Sequence, residues 1–214
     1  MGGRQSTEER KAQIVAEVLR LADEIGPDRL STTDVARAVG ISQPAIFRHF
    51  PTKAALWLAV AEDIAARLQA DWAAAEAKVA ARGEAVEKGT GPQARLKALI
   101  GAQLAAISET PALPSILFSR ELQVDNQGLR DVFRGVLGAF QGRLVATIRD
   151  SQAQGTLRRD VSPEDIAMLL TALVQGVAIR WTLGARGFAL VSEGLRLLDV
   201  QMALLTDKKG GPDE

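Results

Sequence analysis

A short segment, residues 42–53, carries side chains that bind through hydrogen bonds and positive charge. Gln43 can donate and accept hydrogen bonds together, as the major-groove edge of adenine requires. Arg48 can bind either guanine or a phosphate. Lys53 combines a cationic side chain with the unpaired N–H groups expected at a helix start, and this combination binds phosphate. The segment therefore predicts a surface that contacts nucleic acid.

Smaller side chains extend this surface. Pro44 and Ala45 can touch thymine methyl groups. Thr32 and Thr33, at the start of the preceding predicted helix, can bind another phosphate. His49 is expected to contact phosphate or to pack at a helix end. The predicted DNA-binding residues are Thr32, Thr33, Ser42, Gln43, Pro44, Ala45, Phe47, Arg48, His49 and Lys53.

Catalytic and metal-binding chemistry lack the residues that they need. The chain has no cysteine, which removes disulfides, thiolate metal sites and cysteine nucleophiles and fits a reducing cytosol. His49 is the only histidine, so a metal site or acid–base centre built on it would lack partners. There is no Gly-rich phosphate loop and no nucleophile with a base at motif spacing. We therefore expect no catalytic residue, no metal and no cofactor.

Two short predicted helices position the candidate residues. The first runs over 32–39 after a Ser or Thr cap and ends at Gly40, whose freedom to adopt a positive φ suits a tight turn. The second runs over 43–50 after Ser42, with Pro44 in its first turn. Such a pair is a helix-turn-helix, which presents its second helix to the DNA major groove. The alternative is an ordinary helical hairpin, which the spacing disfavours.

The rest of the chain is also predicted to be helical. Hydrophobic residues make up 47% and charged residues 24% of the 214 residues, as in an ordinary globular protein. Apolar periodicity and caps predict further helices over 7–25, 53–82, 93–108, 112–118, 127–154, 163–185 and 189–206, nine in all, with a loop over 83–92.

These elements predict an all-α fold in two domains and a tail. A three-helix helix-turn-helix DNA-binding domain occupies 1–52, a larger helical effector-binding and dimerisation domain occupies 53–206, and 207–214 form a flexible tail. The formal net charge is zero, so DNA contact must come from local placement of charge. No stretch is expected to approach the roughly 20 apolar residues that span a membrane, which predicts a cytoplasmic protein with no membrane partner.

Residues 10–64 resemble the DNA-binding domain of the TetR/AcrR family of bacterial regulators. The resemblance is carried by the opening helix with Gly26, by 33–42 (TDVARAVGIS) and above all by 47–56 (FRHFPTKAAL). Phe47 stands where the family usually has a tyrosine that contacts phosphate, which removes one hydroxyl contact. The resemblance implies DNA-binding roles for Gln43, Pro44, Ala45, His49 and Lys53.

The remainder is similar to such regulators in architecture. That likeness implies a homodimer formed through the last two long helices, and the apolar stripes on 163–185 and 189–206 are wide enough for a core and a partner. The chain also holds large apolar residues that are candidates to line an effector cavity, although such residues are more often core. They are Trp72, Leu104, Phe118, Phe133, Phe140 and Trp181.

Together these features predict a regulator that represses transcription from a palindromic operator and is released by an unknown small apolar or amphipathic effector. One alternative is that the C-terminal domain docks a protein partner or acts without a ligand. Another is that the chain is a helical interaction protein whose first domain no longer reads DNA. The operator, the regulated genes and the effector are not encoded in any motif.

Overall fold

The computed structural model describes residues 6–83 and 91–206, which form ten α-helices and no strand. The all-α prediction is therefore confirmed. The predicted tail at 207–214 and most of the predicted loop at 83–92 lie outside the described residues. The helices are α1 (Thr7–Ile25), α2 (Thr32–Val39), α3 (Gln43–His49), α4 (Lys53–Gly83), α5 (Gly91–Glu109), α6 (Ala112–Phe118), α7 (Arg120–Asp125), α8 (Gln127–Ala153), α9 (Pro163–Leu183) and α10 (Leu190–Leu205).

The structure differs from the predicted helices by two or more residues in three places, and by one residue at several other helix ends. Helix α7 was not predicted, because six residues are too few to show a helical period. Helix α5 begins at Gly91 rather than at residue 93, since a proline at the second position of a helix needs no N–H partner. Helix α9 ends at Leu183, two residues early, because Ala185 and Arg186 adopt positive φ angles of 50° and 62°.

Helix starts in the N-terminal region are fixed by side-chain caps. Ser6 and Glu9 form a capping box at the start of α1, and Ser31 forms the same box with Asp34 at α2. The Ser6 backbone N–H and hydroxyl hold the pKa of Glu9 below its ordinary value. The Ser31 hydroxyl, then its N–H, does the same for the pKa of Asp34. Both caps stabilise the fold above the ordinary carboxylate pKa and weaken as pH falls through the lowered value.

The chain divides into two compact units, and each unit consists of two segments. The first unit contains the residues up to Arg67 together with Thr110–Val136. The second contains Leu68–Glu109 together with the residues from Leu137 onward. Helices α4 and α8 each contribute to both units, so neither unit is continuous in sequence. The functional division between residues 52 and 53 stays a prediction.

In the first unit, α1 packs against α2, α3 and α6. Its predicted apolar stripe is buried, including Ile14 and Val18 at 0% exposure. Val35 and Ala36 of α2 and Ile46 of α3 complete a small core around them. Burial of these residues stabilises helices that are too short to be stable alone.

In the second unit, α5, α9 and α10 pack against one another. At the closest approach, a Cβ on Gly194 would overlap the end of the Leu104 side chain, so a larger residue there would force that side chain to move. The predicted stripe of α9 forms the core, with Ile166 and Leu170 fully buried. A second apolar stripe of α9 is exposed, and Met168 and Leu183 are 61% and 83% accessible. The helix is apolar on nearly all sides, and the sequence pattern did not separate these two faces.

Helix α9 also corrects the expectation about membrane-spanning length. Pro163–Leu183 is long and apolar enough to cross a membrane by length and composition, with 39% of its most apolar window buried. Buried helices of globular proteins satisfy the same criteria. Because α9 packs against both α5 and α10, its hydrophobicity is accounted for in part by the core of this unit.

The turn between α2 and α3 generates a stability prediction. Gly40 has a φ of +73°, and a Cβ there would meet nothing within 4 Å, so the cost of alanine is conformational alone. We expect Gly40→Ala to lower the free energy of unfolding by about 1–2 kcal/mol. The matched control is Gly135→Ala in α8, where an added Cβ also meets nothing within 4 Å. We expect it to raise the free energy of unfolding by about 0.5–1 kcal/mol.

Urea unfolding at one fixed protein concentration measures both variants. Equal or higher stability of Gly40→Ala relative to the unmodified chain would contradict the assigned left-handed turn.

Candidate nucleic-acid interface

The turn between α2 and α3 sets the direction of the second helix. The Gly40 N–H bonds to the carbonyls of Ala36 and Arg37, and the Ile41 N–H bonds to Ala36 O at 3.0 Å. These bonds satisfy the last carbonyls of α2 and close the helix in a left-handed cap. Two residues later Ser42 is the N-cap of α3, with Pro44 in its first turn. The predicted helix-turn-helix is therefore present.

One face of α3 is buried and the other faces solvent. Ile46 and Phe50 are buried, at 0% and 5% exposure. Gln43, Pro44 and Arg48 are exposed as predicted, and His49 is half-buried. The face opposite the core thus carries the polar residues of the helix.

Ala45 corrects one expectation, since it is only 6% exposed. Helix α3 contacts both α1 and α2, so its buried face is wider than the stripe of Ile46 and Phe50. The predicted contact between Ala45 and thymine stays a prediction, but little of the side chain is accessible for it.

A hydrogen bond joins the starts of α2 and α3. Gln43 Nε2 donates to Thr32 Oγ1 at 2.9 Å, across 11 residues of sequence. The bond fixes the orientation of the Gln43 amide, which lies at the exposed N-terminal end of α3. Sequence reasoning placed both residues on the surface but did not predict this bond. Thr33, one residue further along α2, is exposed.

Two cations of this surface have unneutralised charge. Among the described residues, no hydrogen bond or ion pair engages the side chain of Arg48 or Lys53, and both side chains are exposed. By contrast, Arg20 binds Glu17 and Glu24, and Arg37 lies 3.3 Å from Asp34. Arg48 and Lys53 are therefore available for an external anion.

Helix α4 begins at Lys53 and supplies a further anion-binding feature. Thr52 Oγ1 accepts a hydrogen bond from the Ala55 N–H at 3.0 Å, which caps the first turn. The N–H groups at the start of a helix carry partial positive charge and attract phosphate. Phe47 is 40% exposed on α3, one turn after Gln43, and can contribute only an apolar contact to the same surface.

The six predicted cavity residues fall in both units. Phe118 and Phe133 belong to the first unit, and the other four belong to the second. Phe118 is 53% exposed, whereas the other five are buried. Trp72 is buried by contacts with its neighbours: its ring centroid lies 5.0 Å from that of Phe140, and its Nε1 donates to Gln103 Oε1 at 2.9 Å. These contacts belong to a packed core, and a ligand-lining role for the six residues stays a prediction.

A solvent-open cavity of about 390 Å³ lies in the second unit, between α4 and α5. Seven of its lining residues are alanine or glycine, and Asp71, Lys78 and Glu109 supply its charged groups. None of the six predicted cavity residues lines it. Residues 6–83 and 91–206 contain no group of three or more His, Asp or Glu side chains placed to hold a metal ion.

Comparison with known proteins agrees with this architecture. The model of the tetR family of bacterial regulatory proteins matches residues 14–60. The model of the C-terminal domain of BetI-type transcriptional repressors matches residues 92–198, which is half of the chain. The first match covers the helix-turn-helix, and the second covers α5 to α9 and part of α10.

Individual relatives are distant but extend over most of the chain. The nucleoid occlusion factor SlmA of Vibrio vulnificus is 24% identical over 164 residues, which cover 77% of this chain and 78% of that protein. A TetR transcription regulator from Haloarcula marismortui superposes with a TM-score of 0.75 at 19% identity, covering 94% of this chain and all of that one. A transcriptional regulator from Saccharomonospora viridis in complex with choline superposes with a TM-score of 0.72 at 23% identity, covering 94% of this chain and all of that one.

The helix-turn-helix geometry, the two family models and the solved structures of the same fold agree over both parts of the chain. The chain belongs to the TetR family of DNA-binding transcriptional regulators.

Proposed function

We propose that this protein is a transcriptional repressor that binds a palindromic operator as a homodimer and is released by a small apolar or amphipathic effector. The observation that carries DNA binding is the exposed face of α3, where Arg48, together with Lys53 at the start of α4, has no intramolecular partner among the described residues. Regulators of the TetR family bind DNA and typically act as dimers. Because it acts on DNA, we assign the protein to the cytoplasm.

The contacts follow from the chemistry of each group. Gln43, oriented by Thr32, is placed for an adenine edge, and Arg48 for guanine or a phosphate. Lys53, with the N–H groups of the first turn of α4, is placed for a phosphate. The remaining contacts are phosphate or apolar contacts that set the position of α3 on the duplex, made by Thr33, Ser42, Pro44, Ala45, Phe47 and His49.

Homodimerisation is supported by the outer faces of α9 and α10. On α9, Ile179 and Leu183 lie four residues apart on one exposed face, and Met168 lies on the same face about three turns earlier. On α10, Val200 and Leu204 are 51% and 72% exposed, one turn apart. Large apolar residues exposed along one face of a helix are candidates for an interaction site. Two copies that pair these helices would form a four-helix interface.

The effector is the least specified component of the proposal. The cavity between α4 and α5 is of the order that small-molecule sites require, roughly 300–1,000 Å³. The Saccharomonospora regulator is in complex with choline, a small amphipathic molecule, which supports the proposed ligand class. If an effector prefers the form that does not bind DNA, DNA must weaken effector binding by the same factor.

A second candidate function is nucleoid occlusion, because the curated relatives are named as nucleoid occlusion factors. In that case the C-terminal domain would dock a protein or act without an effector. Genome-wide mapping of bound sites separates the two. Sites confined to one or a few promoters would favour the repressor, and many sites outside promoters would favour nucleoid occlusion.

Selection of bound sequences from a random DNA pool tests the proposed function directly. We expect an inverted repeat whose half-sites lie about one helical turn apart, since each copy reads one half-site in the major groove. Recovery of no enriched sequence would refute sequence-specific DNA binding. An enriched sequence without two-fold symmetry would refute the dimeric arrangement.

The exposed cations predict a salt effect. Lys53→Ala should weaken binding to all DNA sequences and reduce the slope of log affinity against log salt by about 0.9 per lost phosphate contact, or about 2 per dimer. Arg149→Ala, which removes an exposed arginine paired with Glu164, should leave the slope unchanged. Fluorescence anisotropy at several salt concentrations measures both. An unchanged slope in Lys53→Ala would show that Lys53 contacts no phosphate.

The exposed stripes predict the behaviour of charge insertions. The double variant Met168→Glu/Leu204→Glu should raise the dimer dissociation constant at least about a hundredfold, because each buried apolar side chain contributes roughly 1.5–3 kcal/mol. Val124→Glu provides the control, since Val124 is 65% exposed on α7 in the first unit. Sedimentation equilibrium gives the dissociation constants. A dimer as tight as that of the unmodified chain would place the interface elsewhere.

A further inference from the structure

Two buried polar side chains flank α7 in the first unit, Ser119 at 5% exposure and Asn126 at 8%. The other buried polar residues of the described chain are Thr147 and Ser151, in α8. Those two hydroxyls bond only to carbonyls four residues earlier in their own helix. Ser119 and Asn126 instead bond to segments distant in sequence, and caps alone do not require this.

Ser119 makes two contacts with one hydroxyl group. Its Oγ accepts from the Leu122 N–H at 3.0 Å and so caps α7. The same hydroxyl donates to Asp28 Oδ1, 91 residues earlier. Asp28 lies in the connection between α1 and α2, which leads directly into the helix-turn-helix.

Asn126 uses both halves of its amide. Its Oδ1 accepts from the Leu129 N–H at 3.1 Å in the first turn of α8. Its Nδ2 donates to the carbonyl of Ala54 at 2.8 Å. Ala54 is the residue after Lys53, in the first turn of α4. The amide supplies an acceptor and a donor on two separate atoms, whereas a carboxylate supplies acceptors only.

A backbone contact supports the same junction. Gly128 in α8 lies so close to α4 that a Cβ on it would be 3.3 Å from Leu58 Cδ1. Leu58 lies one helical turn after Ala54, so the first turn of α8 packs directly along the start of α4. The Asn126 bond is therefore part of a close junction between two helices.

We propose that Ser119 and Asn126 are positioning residues for DNA recognition, acting through Asp28 and Ala54 to hold the helix-turn-helix and the start of α4 in one fixed arrangement. Asp28 and Ala54 lie on either side of the helix-turn-helix in the sequence, and α7 is bonded at its two ends to these two points. This inference rests on the proposed DNA binding. It assigns a part in recognition to residues that do not belong to the DNA-facing surface.

The mechanism concerns the relative position of two groups of contacts. Base contacts come from α3, and a phosphate contact comes from the N-terminus of α4. Specific binding requires both groups to fit one duplex together, whereas non-specific binding needs only the positive charges. Loss of the two bonds should therefore lower specific affinity while leaving non-specific affinity unchanged.

The test compares affinity for the operator selected from the random pool with affinity for non-operator DNA of the same length. Ser119→Ala removes the bond to Asp28, and Asn126→Ser removes the bond to Ala54. Asn126→Ser retains a good helix cap. We expect the specificity ratio to fall about tenfold in each variant. Ser151→Ala is the matched control, because it also deletes a buried serine hydroxyl, and its ratio should not change.

Asp28 provides a variant that leaves the core intact, since its side chain is exposed. Asp28→Ala should lower the ratio as Ser119→Ala does, and Asp28→Asn, which keeps an acceptor for the serine hydroxyl, should retain it. Loss of thermal stability alone, with an unchanged ratio in Ser119→Ala, Asn126→Ser and Asp28→Ala, would overturn the inference. If the unmodified chain itself selects no operator, the proposed function fails instead.

Discussion

Burial of one face of α3 is the constraint on which the proposed DNA recognition depends. The helix has seven residues, too few to be stable alone, and it is held by packing against α1 and α2. Ile46 at 0% exposure fixes which side of the helix faces the core. Gln43, Pro44 and Arg48 lie on the other side for that reason. The direction of the polar groups is thus a consequence of apolar packing beneath them.

Charge acts here through placement rather than through amount. The chain carries 26 basic and 26 acidic residues, so no long-range attraction to DNA arises from its total charge. Many arginines are neutralised by neighbouring carboxylates, as Arg95 and Arg143 are by Glu76. Arg48 and Lys53 are among the cations of the described chain without such a neighbour, and they lie on the surface of the helix-turn-helix region. Arg29 and Arg120 also have no ion pair among the described residues, so the position of Arg48 and Lys53 beside α3, rather than their lack of a partner, marks this surface.

The first unit contains more than the three helices of the helix-turn-helix region, α1 to α3. Segment 110–136, distant in sequence, packs with the helix-turn-helix region and contributes Ser119 and Asn126 to it. In the second unit α9 is apolar on two sides, one buried and one exposed. One side builds the core and the other is available to a second copy, so a single helix can serve both requirements of a dimeric regulator.

Local sequence signals determined all the described helices except α7, together with the caps and the turn. Ser6 with Glu9, Gly40, and Pro44 after Ser42 act within a few residues of chain, so their effects can be predicted without tertiary information. Tertiary structure alone decided the burial of Ala45, the bond from Gln43 to Thr32 and the junction of Asn126 with Ala54. Each of these depends on which elements meet in space, and periodicity along one helix carries no information about its neighbours.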